Sequence, residues 1–129
     1  AILSQTDGLT ELFNRTHWEN CLQAEYKRWT RSQNSSCLVM LDIDHFKKVN
    51  DSYGHMVGDE VIRHISGLIR SHVRETDVSG RYGGEEFAIL LSDTSLENAH
   101  VFGERLRAEV EASIVKYNDI ELTYKLVWA

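Results

Sequence analysis

The five residues Gly83-Gly84-Glu85-Glu86-Phe87 join two short strand-like runs, Val78 to Tyr82 before them and Glu85 to Leu91 through them. A Gly-Gly pair in that position signals a two-residue hairpin turn, whose central residues need positive φ. Glycines also let a phosphate come close to the backbone. Two carboxylates follow at once, and acids beside such a turn can hold a divalent cation that neutralises the phosphate. A second segment, Asp42-Ile43-Asp44-His45-Phe46-Lys47, places two more acids and a lysine at the end of the apolar run Cys37 to Ile43. That run is continuous rather than alternating, so it reads as a strand buried on both faces.

Working outward, Asp7 to Arg15 is irregular, and Thr16 with Glu19 has the spacing of a capping box. Trp18, Cys21, Leu22, Tyr26 and Trp29 recur at helical spacing, which predicts a helix from Thr16 to about Arg31. His45 to Ser52 predicts a short helix, and Tyr53 to Gly58 a loop. Val61, Ile62, Ile65, Leu68, Ile69 and Val73 form a second helical stripe. Thr94 and Glu97 suggest another capping box, ahead of a helix carrying Ala99, Phe102, Leu106 and Val110. Ile120 to Trp128 alternates as a last strand. The order α-β-α-α-β-β-α-β predicts an α/β sandwich, a central mixed sheet flanked by helices.

With 129 residues and a 42% hydrophobic fraction, the chain is one domain with a real core. No apolar stretch reaches the ~18 residues of a membrane span, and no signal peptide is expected. A soluble, cytoplasmic domain without membrane contact is expected; a membrane domain upstream in a parent protein would not show here. The net charge of −6 argues against nucleic-acid binding, which uses basic surface to offset phosphates. An acidic protein handling nucleotides would lean on metal ions instead. Cys21 and Cys37 sit in apolar patterns without metal-ligand spacing and read as reduced core thiols. The six histidines show no metal-like clustering, and His55 reads as structural.

These motifs, in this order, resemble the GGDEF diguanylate cyclase family. Asp7-Gly8-Leu9-Thr10 with Leu12-Phe13-Asn14-Arg15 looks like its opening motif. Asp42 to Asp51, Gly54-His55 and Gly58-Asp59 look like its metal and guanine segment. Arg81-Tyr82-Gly83-Gly84-Glu85-Glu86-Phe87 looks like its signature in the Glu variant. The resemblance is dense from Asp7 to Leu91 and looser to Ala129. It implies a palm-like fold related to nucleotide cyclase catalytic domains and polymerase palms. It also implies condensation of two GTP into cyclic di-GMP with release of two pyrophosphates. The family's pattern continues with a further strand and a helix bearing a lysine and an arginine for the triphosphate. The expectation is therefore a GGDEF domain over residues 1–129 lacking that C-terminal strand and helix.

By residue type alone, Asp42 reads equally as a metal ligand or a solvated strand end. The resemblance selects Asp42, the Ile43 carbonyl and Glu85 as ligands of Mg²⁺, with Mn²⁺ as the alternative, and Asp42 and Glu85 as the catalytic acids. Side chains alternate along a strand, so only one of Glu85 and Glu86 should face the metal readily; the resemblance points to Glu85, also a candidate base for the 3′-hydroxyl. Asn50 and Asp59 favour turns and helix N-termini on their own chemistry, and resemble the family's guanine readers. Phe46 and Lys47 map to its phosphate loop, beside Gly83 and Gly84. Arg74 and Asp77 form an Arg-x-x-Asp pair like the family's product-inhibition site; an arginine near a helix C-terminus beside a turn aspartate is the ordinary alternative.

The implied partners are GTP and cyclic di-GMP, a second copy of the domain for catalysis, and an upstream sensory domain. Rival readings are a GGDEF-like module that binds GTP or cyclic di-GMP without turnover, a mononucleotide cyclase, and a polymerase palm. The small acidic chain disfavours the last.

Overall fold

A computed structural model describes residues 4–128. Helix α1 (Arg15–Ser32) leads into strand β1 (Cys37–Ile43), then α2 (Phe46–Tyr53) and α3 (His55–His72). The hairpin β2 (Val78–Arg81) and β3 (Glu86–Leu91) follows, then α4 (Leu96–Ala112) and the short strands β4 (Val115–Tyr117), β5 (Ile120–Leu122) and β6 (Leu126–Trp128).

The main sheet has the order β2-β3-β1-β6, and every neighbouring pair in it is antiparallel. The α/β sandwich is as expected; the mixed sheet is not. The helical crossovers from β1 to β2 and from β3 to β6 do produce parallel strands. In each case an antiparallel strand is inserted between the two, which is the split βαβ arrangement. The one parallel contact described is an isolated bridge between Phe13 and Gly80 on the outer edge of β2.

Alternation along β1 and β3 sends side chains to two cores. Leu41, Ile43, Phe87, Ile89 and Leu91 join the α3 and α4 stripes. Ala88 and Leu90 face α1, where Trp18 is the one buried residue of the helix. Gly80 makes this packing possible, because a Cβ there would lie 2.9 Å from the Cβ of Trp18. Trp18 in turn donates from Nε1 to the Val78 carbonyl at 3.1 Å.

Several local expectations are corrected. Asn14, not Thr16, caps α1: its side-chain oxygen accepts from the His17 N–H at 2.9 Å while its amide donates to the Ser4 carbonyl. Ser95 rather than Thr94 caps α4, accepting from the Asn98 N–H at 3.1 Å. Thr94 is buried and occupied elsewhere. The predicted loop from Tyr53 to Gly58 shrinks to Gly54, whose φ of 91° turns the chain from α2 directly into α3. The predicted strand Ile120 to Trp128 is broken: its first part pairs back with β4 across Asn118-Asp119, and only β6 joins the main sheet. Asn118 has φ 52°, a conformation that asparagine tolerates in tight turns. Finally, the diglycine turn is longer than two residues. Tyr82 and Gly83 both donate to the Glu86 carbonyl, at 2.8 and 3.2 Å, leaving Gly83-Gly84-Glu85 as the loop. Neither glycine lies in the left-handed region, since this longer loop does not demand it.

Candidate metal and nucleotide site

The site lies where β1 ends beside the hairpin loop. Asp42 is half-buried, and its Oδ1 is fully buried without a hydrogen-bond partner. Strand register sets Asp42 directly across from Glu86. Alternation alone would therefore favour Glu86 as the facing acid. Glu86 instead folds under the loop, with Oε1 2.9 Å from where a Cβ of Gly83 would be. Glu85 is outside the strand and free of its alternation. Its backbone carbonyl accepts from the Ile43 N–H at 3.3 Å, and its carboxyl is near enough to Asp42 to feel that acid's charge.

Burial pushes the Glu85 carboxyl above the ordinary glutamate range, and the neighbouring charges of Asp42 and then Glu86 push it further. Two acids held together with a buried orphan oxygen suit a divalent ion. Among the described residues no three His, Cys, Asp or Glu side chains gather to hold a metal by themselves. The donor set, two carboxylates with the Ile43 carbonyl nearby, fits a small hard cation whose remaining ligands are water and phosphate oxygens. Gly84 is exposed, and a side chain at that position would meet nothing within 4 Å.

Helices α2 and α3 form the adjoining wall. Asn50 on α2 presses its side chain against α3 so closely that a Cβ on Gly58 would lie 1.8 Å from Asn50 Oδ1 and 3.2 Å from the Phe46 ring. That Oδ1 is the second buried side-chain oxygen without a partner. Asp59, next after Gly58, is exposed. The structure thus brings Asn50 to the start of the segment carrying Asp59. Lys47 is exposed at the start of α2, where no side chain caps the helix. His45 there adopts φ 56°, and its carbonyl accepts from both Lys48 and Val49.

Sequence reasoning missed the groups that hold the loop. Arg81 donates to the Gly84 carbonyl at 2.8 Å from Nη2 and reaches Asp7 at 3.3 Å from Nη1. Asp7 is itself fixed by Thr10, which donates from its backbone N–H at 3.0 Å and its hydroxyl at 2.8 Å. These hydrogen bonds, with the Arg81 charge, hold the Asp7 carboxyl below the ordinary aspartate range against the opposing effect of burial. Only the Asp7…Thr10 and Arg81 motif pattern could have pointed to this brace.

Arg74 and Asp77 lie well away along the chain fold, at the α3–β2 connection. The Asp77 side chain is 2% exposed and accepts from Arg74 at Nε (3.1 Å) and Nη2 (2.8 Å). Arg74 Nη2 also reaches the Ser92 carbonyl and the Thr94 hydroxyl. Its side chain remains 56% exposed, beside a hollow that Arg105 and Asn98 also line.

The family model for "Diguanylate cyclase, GGDEF domain" matches residues 4–126. The chain belongs to this GGDEF family. Diguanylate cyclase DgcP of Pseudomonas aeruginosa is 46% identical over 107 residues, 83% of this chain and 16% of that protein. Response regulator PleD of Caulobacter vibrioides is 42% identical over 111 residues, 86% of this chain and 24% of that protein. The chain thus spans a quarter or less of these relatives. Among solved structures, the GGDEF domain of DgcB from Caulobacter crescentus, in complex with c-di-GMP, matches with a TM-score of 0.92 at 32% identity. The match covers 98% of this chain and 75% of that one.

For this GGDEF domain, the raised Glu85 carboxyl has a direct consequence for stability. A carboxyl whose pKa is higher folded than unfolded favours the fold below the unfolded value, ~4.3, and loses that advantage as pH rises through the folded value. Glu85→Gln is therefore expected to melt higher than wild type at pH 7 in chelator, with the gain shrinking below pH ~4.3. Calorimetry across pH checks this; an equal or lower melting temperature at pH 7 contradicts the strain assigned to the pair.

Proposed function

We propose that this domain condenses two GTP molecules into cyclic di-GMP, working as a homodimer in which each copy holds one GTP. The observation that carries the reading is the Asp42–Glu85 pair, with its buried unpartnered oxygen, beside an open glycine loop. Asp42, Glu85 and the Ile43 carbonyl would hold Mg²⁺ or Mn²⁺. Such an ion lowers the pKa of the attacking hydroxyl and offsets charge on the reacting phosphate and the pyrophosphate. The 3′-oxygen of one GTP forms a bond to the α-phosphorus of the other, the bond from that phosphorus to pyrophosphate breaks, and the hydroxyl proton passes to Glu85 or to water. Repeating the step closes the ring.

The chain's own residues set the geometry. Gly83 and Gly84 leave the phosphates room, and Phe46 and Lys47 offer backbone N–H groups and an ammonium. Asn50 and Asp59 together present an amide and a carboxylate, which match the donor and acceptor edge of guanine. The unpartnered Asn50 oxygen supports this role. Because in-line attack needs two aligned sites, the dimer arrangement is the natural point of control, with an upstream sensory domain setting it in a cytoplasmic protein. The exposed Arg74, anchored by buried Asp77, is the proposed site of product inhibition.

Incubating the full-length protein with GTP and Mg²⁺ and separating the products tests the reading. Cyclic di-GMP that falls at least ~100-fold in Glu85→Gln supports it. Saturable GTP binding without product points to a sensor, and cyclic GMP to a mononucleotide cyclase. The Asn50 assignment predicts that Gly58→Ala, by pushing the amide aside, raises the KM for GTP by about tenfold or more; an unchanged KM removes it. Arg74→Ala is expected to weaken inhibition by added product while sparing single-turnover activity.

A further inference from the structure

The loop Gly83-Gly84-Glu85 has two residues without side chains, so little within it resists motion. At its start, Tyr82 and Gly83 share a single acceptor, the Glu86 carbonyl. Outside restraint has to come from neighbours: Arg81 and the Ile43 N–H fasten the Gly84 and Glu85 carbonyls, and Tyr82 is held from α1. The Tyr82 hydroxyl donates to Glu19 Oε1 at 3.0 Å. Arg15 pairs with the same oxygen at 3.0 Å and lays its guanidinium over the Tyr82 ring, 4.2 Å from the centroid. Trp18, buried one turn along, meets the ring edge-on at 5.6 Å between centroids.

An isolated surface ion pair is worth little. Here three α1 residues converge on one aromatic ring from different directions, and that ring begins the loop carrying Glu85. The geometry points to Tyr82 as a positioning residue for the nucleotidyl transfer, held by the Glu19 carboxylate, the Arg15 guanidinium and the Trp18 edge. This rests on the functional reading above. Tyr82 touches no reacting atom; its clamp keeps Glu85 at the distance from Asp42 at which both can grip one cation. The first turns of α1 thereby become part of the site, although none of their residues reaches substrate.

The test uses the full-length protein with Tyr82→Phe, Glu19→Ala, their double variant, and Glu19→Gln. Tyr82→Phe keeps the ring for Trp18 and Arg15 and removes only the hydroxyl. Glu19→Gln keeps an acceptor for that hydroxyl. Tyr82→Phe and Glu19→Ala are each expected to lower kcat about three- to tenfold, with the KM for GTP within about twofold. The double variant should fall no further than the worse single, because both remove one contact. Glu19→Gln should recover most of the loss. Hydrogen exchange at the Tyr82 and Gly83 amides, which both donate to the Glu86 carbonyl, should quicken in the two impaired variants, with Ile89 and Leu90 unchanged.

Wild-type kcat and wild-type loop exchange in Tyr82→Phe and Glu19→Ala would overturn the clamp. So would a loss shared by Glu19→Gln and accompanied by faster exchange at Ile89 and Leu90, since that is general destabilisation. If the wild-type protein makes no cyclic di-GMP, the functional reading fails, and the exchange measurements alone decide whether the clamp exists.

Discussion

Asp42 and Glu85 are two carboxyl groups that the fold brings together. Like charges ~4 Å apart repel by roughly 1 kcal/mol in water and several times that near a protein. The chain accepts this because the pairing of β1 with β3 is set by something stronger. Leu41 faces Phe87, Val39 faces Ile89 and Cys37 faces Leu91 across the same ladder. Sliding either strand by one residue would turn that whole apolar set out of the core. The hydrophobic register thus imposes the electrostatic conflict, and a divalent ion is the simplest partner to relieve it.

Much of this architecture was legible in the sequence because its signals were periodic. The β1 apolar run matches its strand, and the α3 stripe lies in a helix that starts earlier than expected, at His55. What escaped were choices between near-equal local options. Asn14 and Thr16 are both good caps, and Asn14 prevails because its amide is also tied to Ser4. Thr94 and Ser95 compete similarly, and Thr94 is drawn away by Arg74. The last strand breaks at Thr123-Tyr124-Lys125, which holds no Gly, Pro, Asn or Asp to signal it; Asn118-Asp119, just ahead of the run, marks only the turn that pairs its first part with β4. The antiparallel order of the sheet depends on which strand is inserted between which, and local pattern does not encode that.

At the site, the resemblance selected Glu85, while strand alternation, the ground for expecting only one of Glu85 and Glu86 at the metal, does not apply to Glu85, which lies outside β3. Alternation governs Glu86, which lies opposite Asp42, yet Glu86 turns under Gly83 while the loop residue Glu85 comes to Asp42. Two glycines outside the diglycine loop also shape the site and its support. Gly58 and Gly80 are spacing devices: one admits the Asn50 amide between two helices, the other admits Trp18 onto the sheet. Such roles depend on what lies opposite in space, and no local pattern reveals it.

Helix α1 is joined to the sheet by a thin layer. Of its 18 residues only Trp18 is buried, and Tyr26 and Trp29 are largely open to water. The α3 and α4 side, by contrast, carries most of the apolar core. A protein built this way opens unevenly, and the lightly anchored layer detaches before the rest melts. Transient peeling of this one helix would leave the thick side of the sheet folded while Tyr82 lost its grip. Heat or mild denaturant should then silence such a domain ahead of its global unfolding, and a protease would find α1 before it found the core.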